Sequence, residues 1–170
     1  MAQTSSCLML ITCLMFLSLS QGKLSRQDYE AHHPIHHISC PEGTHSYGSH
    51  CYYFYEDRLT WIEADLFCQN THAGHLVSVL TQSEGNFVAS MIKESGTTDS
   101  SVWIGLHDPK KTHLWHWSSG SLYTYKAWAP GSPNIANRGY CVSLTAKSGF
   151  KLWKDTNCEA HMSFVCKFNS

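Results

Sequence analysis

The chain has no excess of charge. Its 12 Lys and Arg stand against 13 Asp and Glu, a formal net charge of -1. No global field therefore draws it to nucleic acid or to an anionic membrane. It has no GxSxG, no HExxH and no phosphate-binding loop, so enzymatic activity and a cofactor are not expected. It has no CxxC pair and no Cys/His cluster at zinc spacing, which excludes the common structural zinc sites. It has no Asn-x-Ser/Thr sequon, since Asn70 is followed by Thr71 and His72. N-glycosylation is not expected. Beyond its first residues it has no apolar run near the roughly 20 residues that a bilayer span needs, so membrane insertion is not expected.

What is present begins with residues 1–22. Leu8 to Leu19 is mostly apolar, about a dozen residues, and Ser20 and Gly22 supply small residues at the -3 and -1 positions of a cleavage site. The pattern predicts a signal peptide, a mature chain beginning near Lys23, and secretion. Of 8 Cys, Cys7 and Cys13 leave with that leader. Cys40, Cys51, Cys68, Cys141, Cys158 and Cys166 remain, an even set in a chain bound for an oxidising compartment, and predict three disulfides. Spacing alone leaves the pairing open. Short loops such as 40–51 and 141–158 would each contribute roughly 3 kcal/mol, and a clasp from Cys68 to Cys166 roughly 4–5 kcal/mol.

Residues 23–39 are polar and include His32-His33-Pro34-Ile35-His36-His37. Low apolar content predicts a flexible tail. Neighbouring imidazoles suit Zn²⁺ or Cu²⁺, but ordering a floppy segment costs affinity, and the tract reads foremost as a solvated tail. Thr60-Trp61-Ile62-Glu63 and Thr81-Gln82-Ser83-Glu84 are capping-box signals, each predicting a helix whose Glu reaches back to the Thr. Gly96 marks the stop of the second. Val102 to Leu106 predicts a buried strand. Trp115-His116-Trp117 predicts a strand turned back by Ser118-Ser119-Gly120 into Leu122-Tyr123. Residues 126–140, rich in Pro, Gly and Asn, predict a long loop. Cys141 to Leu144, Phe150 to Trp153 and Phe164 to Cys166 read as further strands. Helices followed by short strands give an α+β class.

Cys68 in the first helix, Trp103-Ile104-Gly105-Leu106, Cys141, Trp153-Lys154-Asp155, Cys158 and Phe164-Val165-Cys166 resemble the C-type lectin-like domain. The resemblance spans nearly all of residues 40–168. It implies two helices with two small antiparallel sheets. The early pair Cys40 and Cys51 marks the long form, and the family's pairs would be Cys40–Cys51, Cys68–Cys166 and Cys141–Cys158. Ile38 to Thr44, Cys51 to Phe54, Trp103 to Pro109, Trp115 to Gly120 and Ser163 to Phe168 are similar to the regenerating-protein (Reg) family. That likeness implies secretion from exocrine pancreas or gut. It also implies roles as a growth or regeneration factor, a crystal-growth inhibitor or a glycan binder.

The resemblance also shows where this chain departs. Sugar-binding relatives hold Ca²⁺ through a Glu-Pro-Asn or Gln-Pro-Asp loop, a Trp-Asn-Asp motif and an acidic residue before the Cys. Here the loop reads Ser132-Pro133-Asn134, the motif Trp153-Lys154-Asp155, and Gly139-Tyr140 precede Cys141. Calcium takes about six to eight oxygens, so Ser132, Asn134 and Asp155 are expected to form a degenerate site without metal. Antimicrobial relatives carry an acidic Glu-Pro-Asn after Trp-Ile-Gly-Leu-His-Asp-Pro. This chain has Lys110-Lys111-Thr112-His113-Leu114, which puts a peptidoglycan role in doubt. It leaves Lys110, Lys111 and His113, with Trp115 or Trp117 for stacking, as a candidate contact for anionic glycans. The competing reading has both Trp in the core and the lysines on a solvated turn. Relatives are cut by trypsin at an Arg-Ile bond just before Ile-Ser-Cys, whereas here the bond is His37–Ile38.

The expectation is a secreted, monomeric, non-enzymatic protein without cofactor. It acts as a growth or regeneration factor on a cell-surface receptor or glycan. The alternatives are an inhibitor of calcium carbonate growth acting on a mineral surface, and a calcium-independent oligosaccharide-binding lectin of host defence.

Overall fold

The two ends of the domain are paired to each other. In the computed structural model, which describes residues 39–134, 136 and 138–170, His45–Tyr47 (β1) turns into the long strand His50–Leu59 (β2). That strand runs antiparallel to the last one, Met162–Asn169 (β8), with Tyr53 opposite Cys166. The leader, the His32–His37 tract and the rest of the tail up to residue 38 lie outside the described residues. Among the described residues, no helix is long and apolar enough to cross a membrane.

Between β2 and β8 the chain forms Trp61–His72 (α1), His75–Leu76 (β3), Gln82–Glu94 (α2), Ser101–His107 (β4), His116–Trp117 (β5), Cys141–Thr145 (β6) and Trp153–Thr156 (β7). The sheet order is β1-β2-β8-β4-β6-β7, with β3 added to β8 and β5 to β4. Antiparallel pairing dominates, but β4 and β8 run parallel at Val102↔Ser163 and Trp103↔Phe164. This corrects the expectation of two small antiparallel sheets. The short parallel contact fuses the two groups into one mixed sheet.

Both helices start where their Thr caps lie. Thr60 accepts from the Glu63 N–H and Glu63 accepts from the Thr60 N–H, so the first capping box is complete. Thr81 accepts from the Glu84 N–H, but the Glu84 carboxylate does not return to Thr81. It accepts instead from the Leu80 N–H, Tyr52 and Lys167. The second helix ends at Glu94, just before Gly96, whose φ of +73° suits a glycine.

Trp103, Trp153, Tyr52 and Phe164 are the bulkiest fully buried side chains. Burying such a ring contributes about 1.5–3 kcal/mol. A buried Trp usually finds a partner for its indole N–H: Trp103 donates to the Leu59 carbonyl and Trp61 to the Ile104 carbonyl, whereas the buried Trp117 Nε1 has none among the described residues. Three disulfides, Cys40–Cys51, Cys68–Cys166 and Cys141–Cys158, have Cα separations of 5.5, 5.4 and 5.1 Å. These are the pairs the family resemblance implies. Cys68–Cys166 ties α1 to β8, and Cys141–Cys158 ties the start of β6 to the chain beyond β7.

Two strand expectations are corrected. Phe150 to Leu152 are not in a strand. Ala146–Ser148 forms a 3-10 turn, Phe150 has φ +62°, and β7 starts only at Trp153. The return strand at Leu122-Tyr123 does not form, because His116–Trp117 finds its partner in β4 rather than across the Ser118-Ser119-Gly120 turn. The strands β1 and β2, not expected at all, carry too mixed a pattern to announce themselves.

Candidate functional site

The strand β7 alternates, burying Trp153 and Asp155 and turning Lys154 outward. The long loop folds back onto it: the Trp153 N–H donates to the Ala127 carbonyl and the Ala129 N–H to the Trp153 carbonyl, both at 2.8 Å. Ser132, Asn134, Lys154 and Asp155 therefore converge, as the family pattern implies. Their chemistry is turned inward. The Asp155 Oδ2 accepts from the Asn134 N–H at 3.2 Å, and the Asn134 carboxamide oxygen accepts from the Ala136 N–H at 2.9 Å. The Asp155 Oδ1 is buried and has no partner among the described residues.

Gly139 settles a further ligand position. A Cβ there would lie 2.7 Å from the Thr156 nitrogen and 2.8 Å from the Asp155 carbonyl carbon. The backbone itself occupies the space that an acidic side chain would need. One unpaired carboxylate oxygen falls far short of the roughly six to eight that a calcium ion takes, and exposed Lys154 lines the same cavity of about 560 Å³. Among the described residues no group of three His, Cys, Asp or Glu could hold a metal. The residues do not fit the ion for which the loop is used in sugar-binding relatives.

The basic loop is built on Asp108. Its buried carboxylate accepts from the Thr112 N–H at 3.2 Å and from the His113 N–H at 2.7 Å, and its carbonyl accepts from the Lys111 N–H. Lys111 and His113 take left-handed conformations, φ +56° and +63°. Lys110, Lys111 and His113 are exposed together. The Lys111 ammonium lies 5.3 Å from the Tyr140 ring centroid, a cation–π distance.

Trp115 does not complete this site. It is only 9 % exposed, and its ring packs on Trp128 at 5.0 Å. Trp117 is buried edge-on against Trp153 at 5.5 Å. Neither presents a free face for stacking on a sugar, because both belong to the main core. His107, opposite His116 across β4 and β5, packs on Trp61 at 4.3 Å, and burial pushes its imidazole pKa down.

One residue that sequence reasoning passed over joins the candidate regions. Arg138, exposed, lines both the cavity at Asp155 and a neighbouring one of about 380 Å³ that also touches Lys111 and Tyr140. The calcium-type loop and the basic loop are thus adjacent parts of one face. No spacing rule reveals this, since Arg138 and Lys111 come together only through the return of the loop to β6.

Residues 57–168 match the lectin C-type domain family. The whole chain aligns with human lithostathine-1-alpha at 64 % identity over 170 residues, covering 100 % of both. A crystal structure of human lithostathine superposes with a TM-score of 0.78 at 63 % identity, covering 85 % of this chain and 100 % of that one. Ovocleidin-17, described as a major protein of the calcified layer of the Gallus gallus eggshell, superposes with a TM-score of 0.69 at 30 % identity, covering 78 % of this chain and 100 % of that one.

Proposed function

Because the chain belongs to the lectin C-type domain family, on its lithostathine and regenerating-protein branch, we propose that it is a secreted recognition protein that binds without calcium and catalyses nothing. Its role is that of a growth or regeneration factor acting on a cell-surface receptor. The observation that carries the reading is the inward turn of the long loop. Asn134 and Asp155 bond to backbone N–H groups and Gly139 has no room for a side chain, while the disulfides and Asp108 hold the surface loops in fixed shape. A fixed surface without a metal suits recognition of a protein partner, where preorganisation saves ordering entropy.

The test is proliferation of an epithelial or islet line given the purified full chain, with and without EDTA. Growth that persists in EDTA and is abolished by a single charge reversal on one patch supports the reading. No growth at any concentration, or growth lost with calcium, overturns it.

A second reading has one specific support. The likeness to ovocleidin-17, a protein of a calcified layer, favours binding to a calcium carbonate surface. Such binding would depend on total surface charge and tolerate single substitutions. Growth rates of calcite seeds in the presence of the chain and of single charge reversals distinguish the two.

A further inference from the structure

The three disulfides differ in what surrounds them. Cys68 and Cys166 are both 0 % exposed, so the long clasp is sealed in the core. Cys51 is sealed as well, and its half-buried partner Cys40 has the exposed acid Glu42 two residues away. Cys141 and Cys158 instead both line the cavity of about 380 Å³ beside the first turn of α1. Cys158 is half-buried, and its carbonyl accepts from the Trp61 N–H at 3.0 Å. Lys111 and Arg138 line the same cavity, both exposed and without an ion pair among the described residues. Of the acids there, Asp108 is buried and bonded to backbone N–H groups, and Glu159 is exposed.

A disulfide is opened by a thiolate, which needs a path to one sulfur. Neighbouring cations draw that thiolate in and stabilise the one that leaves. We infer that Cys141–Cys158 is a thiol–disulfide exchange site, open to a small thiol or a dithiol reductant while the other two bridges stay closed. The reductant's thiolate attacks the Sγ of Cys158, the more exposed member. A bond forms between those two sulfurs as the Cys141–Cys158 bond breaks, and its electron pair leaves on the Cys141 Sγ. A second reductant thiolate then attacks the reductant's sulfur in the mixed disulfide, leaves with it as oxidised disulfide and releases Cys158. The cysteine pair gains two electrons, the two reductant thiols lose them, and the freed thiolates take protons from water. The opening is local, because β6 and β7 stay paired from Cys141↔Thr156 to Leu144↔Trp153. What loses its anchor is the turn in which the Ala160 N–H donates to the Asn157 carbonyl, and with it the start of α1 at Trp61. Exchange therefore loosens the wall that α1 shares with the basic loop. The site does not depend on the growth-factor reading: proliferation can fail while exchange holds.

Reduced glutathione is the probe, added to the purified full chain at about pH 7.5, where a small thiol is partly thiolate. Samples are quenched with iodoacetamide, and peptide mass mapping reads which cysteines have opened. Cys141 and Cys158 are expected to open together, at least about tenfold faster than Cys40, Cys51, Cys68 and Cys166. The mixed disulfide with glutathione is expected on Cys158. The opened form keeps a cooperative melt, while hydrogen exchange at the Trp61 amide rises. Arg138→Glu is expected to slow exchange with anionic glutathione by about threefold or more, an effect that added salt shrinks. Lys126→Glu, exposed and away from the cavity, leaves the rate as it is. If Arg138→Glu melts the fold, Arg138→Gln removes the charge alone and is expected to slow exchange in the same direction. Opening of Cys40–Cys51 or Cys68–Cys166 as fast as Cys141–Cys158 overturns the site. So does a rate that rises with urea in step with global unfolding, or one equal to wild type in the folded Arg138 variant.

Discussion

The Lys167 ammonium donates a 2.6 Å hydrogen bond to the Glu84 carboxylate, where the two side chains are 9 % and 6 % exposed. The same Glu84 oxygen accepts from the Tyr52 hydroxyl at 2.7 Å, and the other accepts from the Leu80 N–H at 2.8 Å. Lys167 also donates to the Ser78 carbonyl and hydroxyl. Burial and the bond to Glu84 push the Tyr52 phenol above its usual range. The cluster ties the start of α2 to β2, β8 and the segment before the helix.

A buried pair that loses one member leaves an uncompensated charge. Glu84→Ala and Lys167→Met should each destabilise by about 3–5 kcal/mol. The double variant should cost clearly less than the sum, because no charge is left unpaired. Urea denaturation of the four proteins measures the coupling. Strictly additive losses would show that the two residues act separately.

The disulfides should rank by the length of chain they close. Cys68 and Cys166 are 98 residues apart, against 17 and 11 for the other pairs. Replacing both members by Ala should cost about 4–5 kcal/mol for the long clasp and about 3 kcal/mol for either short one. Denaturation of the three double variants checks the order. A short-loop variant less stable than the Cys68–Cys166 one contradicts the loop-entropy account.

These clusters also show what was legible in the sequence. Thr60 and Thr81 announced both helix starts, since capping is local chemistry. The destination of Glu84 was not legible, because Lys167 lies 83 positions away and the pairing of β3 with β8, which sets His75 opposite Lys167, brings it near. β2 itself was hidden, since its burial does not alternate cleanly. The convergence of Ser132, Asn134 and Asp155 was legible through the family pattern. The meeting of Arg138 and Lys111 at one cavity was not, because the two sit on separate segments with no common spacing. Trp115 shows the limit of composition: an aromatic beside lysines reads equally as a stacking platform or as core, and only packing decides.

Stability should fall in mild acid. Burial lowers the imidazole pKa values of His50, His72 and His107 below 6.5. As pH falls, the unfolded chain therefore takes up protons before the folded one does. The stability these groups contribute is complete above about pH 6.5 and is lost as pH drops below it. The melting temperature should fall by about 2–6 °C between pH 7.5 and 5. His72→Gln and His107→Asn should each shrink the fall. A flat profile in wild type, or an undiminished one in both variants, counts against these histidines.

Calcium should do nothing to the folded domain. An ion at about 100 times its Kd stabilises by about 2.7 kcal/mol, which would raise the melting temperature by about 5–10 °C. Melting in EDTA and in about 10 mM calcium should instead coincide, because Asn134 has its oxygen on Ala136 and Lys154 stands at the cavity. Restoring an acid at position 139 should not rescue binding. The added Cβ meets the Thr156 nitrogen at 2.7 Å, and forcing atoms into filled space costs about 1–3 kcal/mol. Gly139→Ala should therefore destabilise as Gly139→Glu does, in the presence or absence of calcium. A calcium-dependent rise in the melting temperature of wild type, or a gain in the Glu variant, would show that the loop can still open to the ion.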